Sequence, residues 1–394
     1  MSSNGPSLSI PLCVPWMTGT EGPYLQECVD TNWVSSAGPF VTRFEKMLAD
    51  YVGTAHAVAT VNGTAALHLA MLAAGVRPGD AVVTSTVTFV ATANAIRHAG
   101  AWPVFVDVDP ATWQIDAGRL ANYLRRDCRP ADGELRDSQT GRRIAALLPV
   151  HILGHPADMD PIIEVAREFD LPVVEDATES LGATYKGRRV GALGDIAALS
   201  FNGNKLITCG GGGMVVTSRP DWAERVRHLT TQAHCHPVES VHDEVAFNYR
   251  LTNVQAAVGC AQMEAIEARL AAKRRIADFY RALCAEVQGL SFMPQATWAG
   301  AVFWLSTVLV DPASFGRDSR QLVAFLAERG IGTRPLWQPM HLSEAHRGAR
   351  AIGGEVAEDL YARAVSLPSS CGLTEPEKTA VQAAIFAASA KSAA

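Results

Sequence analysis

Ile196-Ala197-Ala198-Leu199-Ser200-Phe201-Asn202-Gly203-Asn204-Lys205, followed by Gly210-Gly211-Gly212-Gly213, decides the reading of this chain. Its first six residues are short and apolar, the pattern of a buried strand. Lys205 therefore falls just past a strand end, and open α/β sheets bind ligands in the crevice outside the carboxyl ends of their strands. A lysine in that place is either a solvated surface amine or a nucleophile. Two neighbouring stretches bear on the choice.

Leu171-Pro172-Val173-Val174-Glu175-Asp176 is a second apolar strand that runs into carboxylates. An acid at that strand end can ligate a metal, act as a base or hold a ring nitrogen. Ala57-Val58-Ala59-Thr60-Val61 then turns through Asn62-Gly63-Thr64 into the apolar helical run Ala65 to Leu72. Free N–H groups at such a helix start, with the Thr64 hydroxyl, form an anion cradle. A lysine, an acid for a ring nitrogen and a phosphate cradle are what bound pyridoxal phosphate requires of a protein.

With these pieces the chain resembles the sugar-nucleotide aminotransferases of the DegT/DnrJ/StrS type. The resemblance is carried by Asn62-Gly63-Thr64-Ala65-Ala66-Leu67, Glu175-Asp176-Ala177 with Glu179 and Gly182, and Ser200-Phe201 before Lys205. It continues through Phe247-Asn248-Tyr249-Arg250-Leu251-Thr252-Asn253 with Gln255-Ala256-Ala257, and Arg334-Pro335 with Pro339 and His341. These stretches keep the family's order over nearly the whole chain. The resemblance implies an α/β protein of PLP fold type I, aspartate-aminotransferase-like, with a mostly parallel mixed sheet in a large domain and a smaller C-terminal α/β domain. It further implies pyridoxal 5′-phosphate (PLP) cycling through pyridoxamine phosphate (PMP), and a bacterial cytoplasmic homodimer with shared sites.

The family's roles carry over residue by residue. Lys205 is implied as the covalent attachment point and proton shuttle, and Asp176 as the partner of the pyridine nitrogen. Glu179 approaches the phenolic oxygen, where many relatives carry Gln or His, and Phe89 covers one ring face. The phosphate falls to Gly63, Thr64, Ala65 and Ser200, with Asn248 contributed across a dimer interface. Arg250 either braces that interface or holds a carboxylate; Trp33, Ser35, Trp304, Trp337 and His341 are candidates for the sugar pocket. One departure follows the lysine: relatives often have Gly-Glu-Gly-Gly where this chain has Gly210 to Gly213. Four glycines imply close backbone passage or positive φ.

The implied donor is L-glutamate. The opening Pro11-Leu12-Cys13-Val14-Pro15 and Thr31 to Gly38 are similar to the branch that aminates C4 of UDP-linked 4-keto-6-deoxy-N-acetylhexosamines, as in bacillosamine and legionaminic acid pathways. GDP-4-keto-6-deoxymannose 4-amination (perosamine synthesis) and C3 amination are the alternatives. A dehydratase of this fold would carry histidine in place of Lys205, and a non-catalytic copy would not need Lys205, Asp176 and Thr64 together.

Composition narrows the rest. At 394 residues with 48% hydrophobic content, the chain exceeds the size at which one core usually stops growing. Two domains are expected, 1–254 and 255–394, the second opening on a long bridging helix from Gln255 to Tyr280. A net charge of −6 argues against nucleic acid as a partner. The eight cysteines are scattered, which fits reduced cytoplasmic thiols rather than a disulfide framework, and no metal site is expected from His234-Cys235-His236. Residues 1–6 show no secretory pattern. The uncharged run Ala55 to Val76 reads as strand-turn-helix rather than a membrane span. Strands are also expected at 81–85, 103–108, 144–150 and 303–310, with helices near 92, over 159–168 and 319–329, and from Glu375. The arginine-rich 125–143 segment reads as an exposed excursion, and 186–189 with 212–217 as a strand pair.

Overall fold

The computed structural model describes residues 9–389. Its centre is an eight-stranded sheet in the order His56–Thr60, Gly213–Thr217, Ile196–Ser200, Val174–Asp176, Ile144–Leu148, Ala81–Ser85, Trp102–Val106 and Arg350–Ile352. All neighbours are parallel except the two flanking Gly213–Thr217, which runs against both its partners. Strand alternation explains the uninterrupted apolar runs, because successive side chains enter different cores. Ala197 and Leu199 join a cluster with Phe44, Leu48 and Phe201 on one face, while Ile196 and Ala198 pack with Val58, Leu67 and Met71 on the other.

Helices cover both faces. Gly63–Ala73 is buried along most of its length, and Met159–Glu168 presents Ile162, Val165 and Ala166 to the core. The expected single helix 255–280 is instead two, Asn253–Glu264 and Ile266–Glu286. Thr252 and Gln255 form a capping box at the first, and the break falls at Ala265 without proline or glycine. The smaller domain is an antiparallel sheet in the order Leu290–Phe292, Thr307–Val310, Ala364–Ser366, Arg334–Pro335. Ser319–Ala327 and Glu375–Ala388 pack on it with the second half of Ile266–Glu286.

Several local expectations are corrected. Gly213–Thr217 lies in the central sheet, and Arg188–Arg189 pairs with Thr184–Tyr185 instead. The 125–143 excursion folds on itself as a hairpin of Cys128–Ala131 and Glu134–Asp137. Two segments run across the 254/255 division: Ile10 bridges to Ile331 in the smaller domain, and Arg350–Ile352 pairs with Val104–Val106 in the larger sheet. Sequence pattern cannot show these returns, because a three-residue edge strand carries no period of its own. Among the described residues no helix is long and apolar enough to cross a membrane.

Candidate active site

Five parallel strands deliver the chemistry to one edge of the sheet. Past Thr60 comes the Asn62 turn, past Ser85 come Thr88 and Phe89, past Leu148 comes Leu153, Asp176 ends its strand, and Ser200 leads to Lys205. They enclose a cavity of about 700 Å3 whose walls include Gly63, Thr64, Phe89, Asp176, Glu179, Ser200 and Lys205, closed from the smaller domain by Trp304, Arg334 and Trp337.

Lys205 is held before it is used. The preceding carbonyl, of Asn204, accepts from Trp304 Nε1 at 2.7 Å and from Cys13 Sγ at 3.3 Å. The Lys205 amide donates to the Asn202 carbonyl at 3.0 Å. Its Nζ stands 3.7 Å from the Trp304 ring centroid and 3.7 Å from Glu179 Oε1. The second separation is beyond hydrogen-bond length, so the contact is Coulombic. Burial lowers the Lys205 amine below its usual range, opposed by Glu179 and Asp176. Burial also pushes the Glu179 carboxyl up to about 7, against the pull of Lys205 and of the Leu153 amide, which donates to Oε2 at 2.8 Å. The surroundings thus disfavour charge on both partners, which suits a neutral amine as nucleophile.

Asp176 is buried and oriented. Thr92 Oγ1 donates to its Oδ2 at 2.6 Å, and the Thr178 amide donates to Oδ1 at 3.1 Å. Beneath it Glu175 points the opposite way, taking N–H bonds from Gly191, Leu193 and Gly194 and a contact of 3.0 Å from His151 Nε2. Because His151 Nδ1 accepts from the Ala157 amide, Nε2 carries the donor proton. One carboxylate of the Glu175-Asp176 pair therefore locks the strand end while the other faces the cavity.

The cradle stands at the start of Gly63–Ala73. Asn62 caps this helix by accepting from the Ala65 amide at 2.8 Å. That corrects the phosphate set: the Ala65 N–H is taken by the cap, leaving those of Gly63 and Thr64, the Thr64 hydroxyl and Ser200 Oγ. A Cβ on Gly63 would lie 2.8 Å from Ser200 Cβ and 3.0 Å from its Oγ, so only glycine lets helix and strand converge here. Gly213 has the matching constraint, since a Cβ there would meet the Asn62 carbonyl at 2.5 Å, while Gly210 and Gly212 take positive φ. The cradle, the oriented acid and the desolvated amine fit a phosphorylated pyridine aldehyde. Gly63→Ala overpacks the cradle, a change costing about 1–3 kcal/mol. We expect it to weaken pyridoxal phosphate retention by about one to two orders of magnitude, read by equilibrium dialysis.

Phe89 is half-exposed at the cavity mouth, its ring edge-on to Trp337 at 6.3 Å, and Trp337 stacks with Trp304 at 6.3 Å. The remaining candidates are not brought in by the same chain. Trp33 and Ser35 lie exposed outside the cavity, their carbonyls accepting from Asn253. Asn248 is exposed and bridges to Thr231, and Arg250 bridges to Thr60. His341 has both ring nitrogens engaged, Nδ1 with Thr86 Oγ1 at 2.6 Å and Nε2 with Glu358 at 3.1 Å, and does not line the cavity.

Sequence reasoning missed three supports and gave Arg334 no role. Thr92 could have been found, since it lies one helical turn beyond Thr88 and bonds it at 2.7 Å. Leu153 holds a left-handed φ of 57° while offering its amide to Glu179, and leucine gives no sign of this. Lys273, fully buried mid-helix, donates to the Trp304 carbonyl at 2.7 Å and to that of Ser369. Arg334 was visible only as part of a motif. Among the described residues its guanidinium reaches no carboxylate and bonds only the Thr333 carbonyl, at 2.9 Å.

Residues 16–386 match the model of the DegT/DnrJ/EryC1/StrS aminotransferase family. The chain is 40% identical to GDP-perosamine synthase of Caulobacter vibrioides over 95% of this chain and 97% of that one. It is 35% identical to GDP-perosamine synthase of Escherichia coli O157:H7, over 93% and 95%. Among solved structures, DesV of S. venezuelae in complex with a reaction intermediate superposes with a TM-score of 0.82 at 31% identity, covering 93% of each chain.

Proposed function

From the premise that the chain belongs to the DegT/DnrJ/EryC1/StrS aminotransferase family, and is a pyridoxal-phosphate-dependent sugar-nucleotide aminotransferase of fold type I, we propose that it carries the amine of glutamate to C4 of GDP-4-keto-6-deoxymannose. Similarity to two GDP-perosamine synthases over almost the whole chain supports this reading. The UDP-linked N-acetylhexosamine branch, expected from residues 11–15 and 31–38, is not favoured over it and becomes the second reading.

The observation that carries the chemistry is the convergence of Lys205, Asp176 and the Gly63-Thr64-Ser200 cradle on one cavity. When bound, pyridoxal phosphate supplies a ring that withdraws the electrons left on the donor carbon as its proton departs. Gly63, Thr64 and Ser200 would hold its phosphate, and Asp176 would keep its ring nitrogen charged. Lys205, desolvated at the end of a rigid strand, moves the proton. Trp304, fixed through its carbonyl by Lys273, excludes water beside that amine. We infer a homodimer, because Asn248 is exposed and neither it nor Arg250 lines this chain's own cavity, which leaves them for the cavity of a second copy.

Arg334 completes the donor subsite in this proposal. The cavity's ionisable side chains are Asp176, Glu179, Lys205 and Arg334, with Cys13 at its edge. Lys205 is required for the chemistry, so Arg334 is the cation left for a dicarboxylate. A hydrogen bond to a charged group contributes about 1.5–3 kcal/mol. Arg334→Gln should therefore raise the KM for glutamate by about 10- to 100-fold, while pyridoxal phosphate content stays at one per chain. The substrate is tested by loading the enzyme with pyridoxamine phosphate and offering GDP-, UDP- and dTDP-linked 3-keto and 4-keto sugars, with NMR placing the new amine. Turnover of a UDP sugar orders of magnitude faster than the GDP sugar, or nitrogen at C3, would overturn the GDP reading and leave the aminotransferase assignment standing.

A further inference from the structure

A second cavity, of about 550 Å3, opens at the opposite edge of the central sheet, where Ala81–Ser85, Trp102–Val106 and Ile144–Leu148 begin. Strands of five residues span roughly 16 Å, so this cavity is well separated from Lys205 and Asp176. Its walls are the Arg77-to-Asp80 turn and the hairpin residues Glu134 and Arg136 with the return through 140–143. Arg77, Arg136, Arg142 and Arg143 line it, against only two carboxylates, Asp80 and Glu134.

The two acids are already taken. Arg143 grips Asp80 through Nε at 3.0 Å and Nη2 at 2.5 Å, and Arg136 Nη2 meets Glu134 at 2.6 Å. Among the described residues, Arg77 and Arg142 are left without a carboxylate. Arg142 is nevertheless held in place: its guanidinium carbon lies 4.6 Å from the Trp102 ring centroid, and that of Arg97 lies 3.8 Å from the same centroid. An aromatic face steadies a guanidinium through its π electrons and leaves the N–H edge free to donate. Arg136 adds positive charge to the wall but is itself engaged, its Nη2 on Glu134 and its Nη1 on the Gly141 carbonyl at 3.1 Å.

These donors point to a ligand with more than one anionic centre. A carboxylate would match one guanidinium fork, whereas two linked phosphoryl groups can meet Arg77 and Arg142 together. In a chain of net charge −6, two unmatched cations in one cavity form a local attractor that the overall charge does not explain. We propose that this cavity is a second anion site, distinct from the catalytic one, that takes a pyrophosphoryl group, either free or as the diphosphate of a nucleotide. The inference does not depend on which sugar the enzyme aminates.

The test is calorimetric titration of the pyridoxal-phosphate-loaded enzyme, whose catalytic cradle is filled, with inorganic pyrophosphate and separately with UDP and GDP. Pyrophosphate should bind once per chain, more weakly as salt rises. Arg77→Ala/Arg142→Ala should lose at least tenfold in that affinity while cofactor absorbance and turnover without pyrophosphate hold. A nucleotide that binds the loaded wild type more tightly than pyrophosphate, with the same loss in the variant, identifies the nucleotide diphosphate as the source; equal affinity identifies the free anion. Absence of pyrophosphate binding, or binding unchanged in a variant that melts like the wild type, overturns the site. Should the double variant fold poorly, Arg77→Ala alone decides, because that exposed side chain makes no bond that folding would miss.

Discussion

Lys205→Ala is expected to lower amine transfer by about 10⁴-fold or more, because under the proposed function it removes an attachment point and a proton carrier at once. Positioned acid–base catalysis by itself contributes about 10²- to 10⁴-fold, and the nucleophilic role adds to that. The fold should survive. Among the described residues the amine makes no hydrogen bond, only the Coulombic contact with Glu179 and the face contact with Trp304, and Glu179 can answer the loss by taking a proton. The check is borohydride reduction of the wild type followed by peptide mass mapping, which should fix a pyridoxyl mass on the peptide carrying Lys205. A label on Lys273 or any other lysine would sink the assignment, although Lys273 is disfavoured because its amine is already bonded to two carbonyls. The same variant reads the inferred dimer. Mixed with Asn248→Ala subunits it should regain activity, since a hybrid can assemble one site with both residues; proven subunit exchange without recovery would place Asn248 outside the site.

Asp176→Asn should cost about 10²- to 10³-fold in turnover, the range seen when one preorganised electrostatic partner of developing charge is removed. The substitution keeps the shape and the Thr178 amide bond to Oδ1, while its NH2 group donates to Thr92 Oγ1 where the carboxylate accepted from it, and it takes away the negative charge. Cofactor retention should change far less than turnover, because the phosphate cradle is untouched. The cofactor-free variant should melt no lower than the wild type, since burying a carboxylate without a hydrogen-bonded cation is costly. Single-turnover absorbance changes on mixing with glutamate measure the chemical step, and a rate within tenfold of wild type would show that Asp176 does not hold the ring nitrogen.

Much of the catalytic edge was legible because strand ends are written locally. Apolar runs that stop at Asp176 and Ser200 mark where the sheet delivers side chains, and Asn62-Gly63-Thr64 marks a helix start by its cap and turn chemistry. Ala65 was misread for a local reason: the motif shows three free amides in a row, but the Asn62 side chain takes one of them. His341 was misread for a distant one, since Thr86 and Glu358 come from remote parts of the chain to occupy both its nitrogens.

By itself the sequence determined the alternation of buried strands and helices, the placing of Lys205, Asp176 and Gly63 at strand ends, and the family, because each follows from residues close together along the chain. Only the tertiary structure decided which charges remain available. Glu175 and Asp176 are adjacent acids, yet one is saturated by three backbone amides and His151 while the other faces the cavity. Arg143 and Arg142 are adjacent arginines, yet one is paired with Asp80 and the other lies on Trp102. Adjacent residues of a strand point to opposite faces, and turn residues diverge likewise, so what each meets depends on segments tens or hundreds of residues away.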